Sequence, residues 1–161
     1  MSRAGILDAI YSRVTSMTVA NGFNYTWASI KSDGNGRRVS KDTVLHASFG
    51  YEERLDTGGA SQNEYKVAIP VRITGIAFVG TSTIDTIQLV LEQTKSKLAD
   101  DIRRAYGIAY DALCSAGGNY IEYVSEIDNP IVTDEEERKD NYEVEVTLEF
   151  EVHFYHQNYL G

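Results

Sequence analysis

The sequence NYEVEVTLEFEVHFYH, residues 141–156, has the most regular pattern in the chain. Its even positions from 142 to 154 are all apolar, whereas its odd positions are mainly polar. Strict alternation of this kind predicts a β-strand with one face on the core and the other turned away from it. At about 3.3 Å per residue such a strand would span roughly 50 Å, far more than an ordinary strand. We expect it to extend past its own domain and to lie along a neighbouring subunit.

The outward positions of this strand carry a row of four glutamates, Glu143, Glu145, Glu149 and Glu151, with no lysine or arginine among them. The simplest interpretation is the solvated face of an antiparallel strand. Such faces usually mix the two charge signs, because like charges opposite one another across strands cost a few tenths to about 1 kcal/mol. A row of one sign therefore favours a functional surface. In an oligomer that turned this face inward, the row would form a negatively charged wall.

The composition predicts one domain, residues 1–161, built around a hydrophobic core. The chain has 161 residues, of which 42% are hydrophobic, enough for one core but not for two. Its single cysteine, Cys114, has no second cysteine for an internal disulfide. No segment has the apolar length of a transmembrane helix, and the first residues lack the pattern of a signal peptide. We therefore expect no membrane partner.

The net charge of −9 is concentrated in one part of the chain. Residues 120–156 contain 12 of the 24 acidic residues and 2 of the 15 basic ones, a balance of −10, so the remainder of the chain carries +1. Tight nucleic-acid binding depends on basic side chains that displace counterions from phosphates. This charge distribution argues against a protein that binds DNA or RNA tightly.

Other segments predict the remaining elements of the fold. Apolar residues at helical spacing indicate a short helix over 6–17 and a long helix from residue 84 to about 106. Alternation over 65–80 predicts a second long strand, in which Pro70 indicates an edge or a bulge and Gly75 a further irregularity. Shorter strands are expected near residues 23–27, 43–53 and 120–126.

Two polar segments are predicted to be loops. Residues 54–64 are glycine-containing and poor in apolar anchors, which is typical of an exposed, mobile loop. The acidic stretch DNPIVTDEEERKDN, residues 128–141, is predicted to be a solvated connection. The resulting order of elements indicates an α+β fold, a mostly antiparallel β-sheet with a long helix and a short N-terminal helix packed against it.

No motif predicts catalysis, a cofactor or a metal. DGNG, residues 33–36, begins like a calcium loop, but Arg37 occupies the next ligand position and no glutamate closes the loop. His153 and His156 are three residues apart, which on a strand places them on opposite faces and unsuited to sharing a metal. We therefore expect a protein that is not an enzyme and holds no cofactor.

Four segments that follow one another along the chain carry a resemblance to a known family. They are ILDAIYSRV (6–14), YKVAIPVRITGIA (65–77), LADDIRRAY (98–106) and YEVEVTLEFEVHFY (142–155). Together with the acidic connection they resemble the tail terminator proteins of tailed bacteriophages, also called tail completion or minor tail proteins. The resemblance covers most of the chain, and it rests on a profile of features and not on an invariant motif.

The resemblance implies a structural virion protein of the tail or neck, synthesised in the host cytoplasm, which forms a hexameric ring at the head-proximal end of a tail tube. It would end tube growth and join the tail to the head or neck connector. Its partners would be copies of itself, the tail tube protein, the connector and passing DNA. The four glutamates would line a passage through which DNA slides without tight binding, because carboxylates repel phosphates.

Arg37 and Arg38 are expected to contact the tube or the next subunit, with a solvated turn as the alternative for this segment. Two other functions remain open for the whole chain. One is a different head-tail connector, a stopper or neck protein, or a tail tube subunit that stacks on itself. The other is a cytoplasmic ligand-binding or enzymatic α+β domain, which would need a deep pocket with convergent polar groups.

Overall fold

A six-stranded sheet forms the centre of the fold in the computed structural model, which describes residues 3–29, 43–55, 64–80, 87–107, 121–138 and 141–157. The helices are α1 (Arg3–Val14) and α2 (Ile87–Tyr106), and a single 3-10 turn covers Val19–Asn21. The strands are β1 (Trp27–Ser29), β2 (Thr43–Phe49), β3 (Glu53–Leu55), β4 (Glu64–Gly80), β5 (Ile121–Arg138) and β6 (Asn141–Gln157). Residues 81–86, which include the predicted start of the long helix, and residues 108–120 lie outside the described residues.

The strands are arranged in the order β1-β2-β4-β6-β5, and β3 pairs with β4 beside β2. Only β1 and β2 run parallel, whereas the other pairs are antiparallel. The predicted fold class is therefore confirmed: this is an α+β fold with a mostly antiparallel sheet, one long helix and one short N-terminal helix.

The two longest regular strands, β4 and β6, are paired along their whole length. Their ladder contains 17 consecutive residue pairs, from Glu64 opposite Gln157 to Gly80 opposite Asn141, with no shift of register. The long final strand predicted from alternation is thus confirmed. Its apolar even positions from Val144 to Val152 are buried, because they face the helices.

Both helices contribute to one hydrophobic core on this face of the sheet. In α1 the buried positions are Ile6, Ile10 and Val14, at the helical spacing that the sequence predicted. In α2 they include Leu91, Leu98 and Ile102, which belong to the same cluster of buried side chains as Ile73 of β4 and Phe150 of β6. At 1.5 Å per residue, α2 is about 30 Å long.

Pro70 occupies a strand with neighbours on both sides, yet its missing N–H breaks no ladder. β2 pairs with residues 71–76 of β4 and β3 pairs with 66–68, so neither strand reaches Pro70. The carbonyl of Pro70 accepts the backbone N–H of Gly50 at 2.8 Å. Because the N–H and C=O of one residue point to the same side in an antiparallel strand, the missing donor faces the gap between β2 and β3. The strand is locally an edge at Pro70, as its sequence predicted.

Position 75 requires glycine for a reason other than the irregularity predicted from the sequence. The register continues through it on both sides, opposite Leu45 of β2 and Val146 of β6, so the irregularity predicted there was wrong. A Cβ at this position would lie 2.6 Å from Cη2 of Trp27. Glycine therefore makes room for the indole ring against the sheet.

Three further predictions need correction. The prediction of a solvated connection over 128–141 was wrong, because residues 128–138 belong to β5 and Asn141 begins β6. Pairing with β6 overrides the low strand propensity of the acidic residues. In the loop predicted over 54–64, Arg54 and Leu55 belong to β3 and Glu64 begins β4, whereas 56–63 lie outside the described residues. The first strand begins at Trp27 and not at residue 23.

Candidate functional site

The face of the sheet opposite the helices, here called the outer face, carries the row of acidic residues predicted from the sequence. Glu145, Glu149 and Glu151 alternate along β6 with buried core residues, so the backbone of an extended strand turns all three to the outer face. All three are half-buried. We call Glu145, Glu149 and Glu151 the acidic strip.

A basic residue from the neighbouring strand interrupts the acidic strip. Arg72 of β4 lies directly opposite Glu149, and its Nε donates to Glu149 Oε2 at 3.2 Å. The Arg72 side chain is 51% exposed and that of Glu149 is 22% exposed, so water screens the pair and it contributes at most about 1 kcal/mol. β6 itself places no lysine or arginine in the acidic strip, but Glu149, the middle residue of the strip, is paired with Arg72 across the ladder.

A neutral pair of threonines separates Glu145 from Glu149. Thr147 lies opposite Thr74 of β4, and their hydroxyl oxygens are 2.8 Å apart. Cross-strand threonine pairs of this kind stabilise a sheet by a few tenths to about 1 kcal/mol. The centre of the outer face is therefore held by direct contacts between β4 and β6 that fix where the flanking glutamates lie.

The third glutamate of the strip contacts a histidine on its own strand. Glu151 and His153 are two residues apart, which places them on the same face, and Glu151 Oε1 is within hydrogen-bond distance of His153 Nε2. The contact becomes an ion pair when the imidazole is protonated. The side chain of His156 lies outside the described ones, so the prediction that the two histidines face opposite sides stays a prediction.

Away from β6, the outer face is largely apolar or neutral. On β4 the positions beside Arg72 and Thr74 are Pro70 and Ile76, both half-buried. Val44 of β2 is also turned to this face, and it is only 4% exposed although it does not belong to the main core cluster. The described acidic residues of the outer face are thus the acidic strip of β6 and Glu53 of β3, which lies opposite Ala68 of β4.

The remaining predicted site residues can be placed only in part. Glu143 lies in β6 opposite Phe78 of β4, but its side chain is outside the described ones. Arg37 and Arg38 lie outside the described residues altogether. The structure therefore groups three of the four glutamates on one face and leaves the docking prediction for the two arginines untested.

Sequence reasoning missed the partner of Glu149. The sequence placed Arg72 on the non-core face of its strand, and it placed Glu149 on the non-core face of another. Nothing local indicated that the two strands are neighbours in this register, because 77 residues separate the two side chains along the chain. A charge of opposite sign at an outward position of a second long strand was the only available signal.

The described side chains offer little for metal chemistry. Across 3–29, 43–55 and the other described ranges, no three His, Cys, Asp or Glu side chains are grouped so as to hold a metal ion. Among the described helices, none has the length and apolarity required to cross a membrane. The described carboxylates of the outer face can repel anions, and its described polar side chains make hydrogen bonds.

Comparison with known proteins gives no family for this chain. No protein-family model matches it, and no curated protein matches it in sequence. One of the solved structures that match aligns with 94% of this chain and 96% of its own, at 12% identity and a TM-score of 0.36. This likeness is too low to carry that protein's fold or function over to this chain.

Proposed function

We propose that this protein is a tail terminator of a tailed bacteriophage, a structural virion protein that forms a hexameric ring at the head-proximal end of the tail tube. In this role it ends tube growth and joins the tail to the head or neck connector. The observation that supports the proposal best is the unbroken β4–β6 ladder with carboxylates on its outer face. Seventeen residues span roughly 55 Å in a strand, nearly twice the length of α2. The ladder is therefore long enough to extend beyond the helices toward neighbouring subunits.

The acidic strip, together with Glu143, would line the passage of the ring. Carboxylates repel the phosphates of DNA, whereas lysines in the same places would bind them. The guanidinium of Arg72 offsets part of the negative charge of Glu149, which reduces the share of that residue in the repulsion. DNA would then pass without tight binding.

The proposed partners are further copies of the chain, the tail tube protein and the connector. Arg37 and Arg38 remain the proposed contacts with the tube or with the next subunit. The chain would be made in the cytoplasm of the host and would end in the virion, in the tail or neck.

Ring formation and tube capping test this proposal directly. We expect native mass spectrometry of the purified chain, with and without magnesium to screen the acidic segment, to give a hexamer that grows no further. Added to growing tail tubes of the phage that encodes it, the chain should stop their elongation. Open-ended polymers of the chain alone would favour a tube subunit instead, and tubes that elongate unchanged in its presence would contradict the proposal.

A further inference from the structure

β5 is the last strand on its side of the sheet. In the part of the chain that the structure describes, no strand pairs with the edge of β5 that faces away from β6. A free edge presents a row of unpaired N–H and C=O groups, which is a template for pairing with another strand. An 18-residue edge would ordinarily be a strong site for the joining of two copies edge to edge.

The pairing of β5 with β6 is interrupted three times. Register shifts occur between Ile121 and Tyr123, between Ile127 and Ile131, and between Thr133 and Glu135. As a result the 18 residues of β5 lie opposite only the 14 residues of β6 from 141 to 154. Each extra residue is unpaired, bends the strand and increases its twist.

These interruptions leave no long regular run for a second strand to pair with. The longest regular run in β5 is Tyr123–Ile127, five residues. The ladder between β4 and β6, by contrast, contains 17 consecutive pairs. Pro130 lies within the second interruption and has no N–H to donate, a further obstacle to pairing at the middle of the edge.

The charge of β5 opposes self-pairing independently of its shape. Seven of its 18 residues are acidic and one, Arg138, is basic. Two β5 strands placed side by side in either direction would bring these like charges together, and directly opposed like charges destabilise a strand pair. Charged residues and bulges are two of the means by which edge strands avoid aggregation.

We propose that the register shifts and acidic residues of β5 close this edge of the sheet to a second copy of the chain. Copies of the protein therefore do not join by continuing the sheet through β5. This inference does not depend on the proposed function. If the chain forms a ring, the ring is closed by other surfaces of the subunit.

A variant with a regular, less acidic edge tests the proposal. Removal of Asn129, Pro130 and Asp134 eliminates three of the extra residues, and Asp128→Val places an apolar side chain opposite the buried Leu148. In the same chain, threonine replaces each glutamate of 135–137. We expect sedimentation velocity to show at least a doubling of the weight-average mass relative to the native chain, increasing with concentration.

A matched control also loses five acidic charges, but away from β5. Asp8, Glu52, Glu53, Glu92 and Asp100, all exposed, are each replaced by threonine, and β5 is left intact. The control should sediment like the native chain. A regular-edge variant that has native circular dichroism but sediments like the native chain would overturn the proposal.

Hydrogen exchange on the native chain provides a test that needs no variant to fold. Along β5, amides not bonded to β6 should exchange rapidly, and equally so at low and high protein concentration. Protection of these amides that increases as the protein associates would show pairing through β5 and would overturn the proposal.

Discussion

Asp101 in α2 is a buried carboxylate with four hydrogen-bond donors around it. It is 1% exposed, and its two oxygens accept the backbone N–H groups of Asn24 (2.8 Å) and Tyr25 (3.0 Å), Asn24 Nδ2 (2.9 Å) and Trp27 Nε1 (2.8 Å). These bonds satisfy the backbone N–H groups of Asn24 and Tyr25 and the indole N–H of Trp27 without a strand partner. The segment just before β1 is therefore bound to α2. Arg104 binds the same segment, because its guanidinium lies 5.1 Å from the centre of the Phe23 ring.

Replacement of Asp101 by asparagine should destabilise the protein strongly. The amide keeps one acceptor oxygen and turns an NH2 group toward donors that lose their partner. Leaving two buried donors unsatisfied costs roughly 2 to 4 kcal/mol. Urea unfolding measures this change in the free energy of unfolding. Asp100→Asn, at the exposed neighbouring position, should change it by less than about 0.5 kcal/mol, and equal effects of the two variants would contradict the role of the buried carboxylate.

The helices are joined to each other by a hydroxyl at the end of α2. Tyr106 is 1% exposed, and its hydroxyl donates to the carbonyl of Ile10 in α1 at 2.8 Å. Burial raises the pKa of Tyr106 above the ordinary tyrosine value of 10.0. Above about pH 10 the unfolded chain loses this proton while the folded chain keeps it. The stabilisation that the raised pKa of Tyr106 gives the folded state is therefore complete below pH 10 and is lost as the pH rises above it.

Tyr106→Phe should reduce this alkaline loss of stability. At neutral pH the variant should be less stable by about 1 kcal/mol, the worth of the hydrogen bond to Ile10. Above about pH 10, the free energy of unfolding should fall less steeply than in the native chain, by up to about 1.4 kcal/mol per pH unit. Urea unfolding across this pH range measures both effects. The control is Tyr51→Phe, since Tyr51 is 95% exposed, and an unchanged slope in Tyr106→Phe would contradict the prediction.

The elements that could be predicted from the sequence are those whose own apolar residues recur at the regular spacing of a helix or a strand. β6, β4 and α2 each show a regular apolar pattern, because each buries one face against the same core. β5 could not be predicted along its whole length, because Pro130 and its acidic residues disfavour a strand and only the ladder of β6 makes it one. The contacts of Asp101 and the pair between Arg72 and Glu149 were also missed, since their partners lie 74 to 77 residues away in the chain.

On the scale of the whole molecule, the negative charge lies in the β5–β6 hairpin and the rest of the chain is nearly neutral. Strand β5 and the acidic strip together account for most of the acidic residues between 120 and 156. In the proposed ring, the outer face of β6 would bring this charge from every subunit to the passage. The effect of the strip should then multiply with the number of subunits, although each carboxylate is half-exposed and contributes little to the stability of one chain.

Reversal of charge at two positions tests whether the strip faces passing DNA. Glu145→Lys with Glu151→Lys leaves the ion pair of Arg72 intact, and in the ring it should slow DNA ejection and reduce infectivity. Glu145→Gln with Glu151→Gln removes the repulsion without adding attraction, so its effect should be smaller. Release of DNA from assembled particles gives the rate. Normal DNA ejection by the lysine variant would show that the acidic strip does not line the passage.

The control for this charge reversal is Asp8→Lys with Asp100→Lys. Both positions are exposed on the helices, so the control makes the same change in net charge on the opposite side of the sheet. It should eject DNA like the native particle. A control that slowed ejection as much as the strip variant would show that net charge, and not its position, matters.

The unbroken ladder between β4 and β6 also determines when folding can be completed during synthesis. Gly80 pairs with Asn141 and Glu64 with Gln157, so the partners are 61 to 93 residues apart in the chain. At about 5 to 20 residues per second, a ribosome needs roughly 3 to 20 s to make the partner of a β4 residue after β4 itself. During that interval β4, with apolar residues from Val67 to Val79, has no neighbour on its β6 side. The nascent chain is therefore most exposed to aggregation and to chaperones before its last strand emerges, and a chain truncated before β6 keeps that exposure permanently.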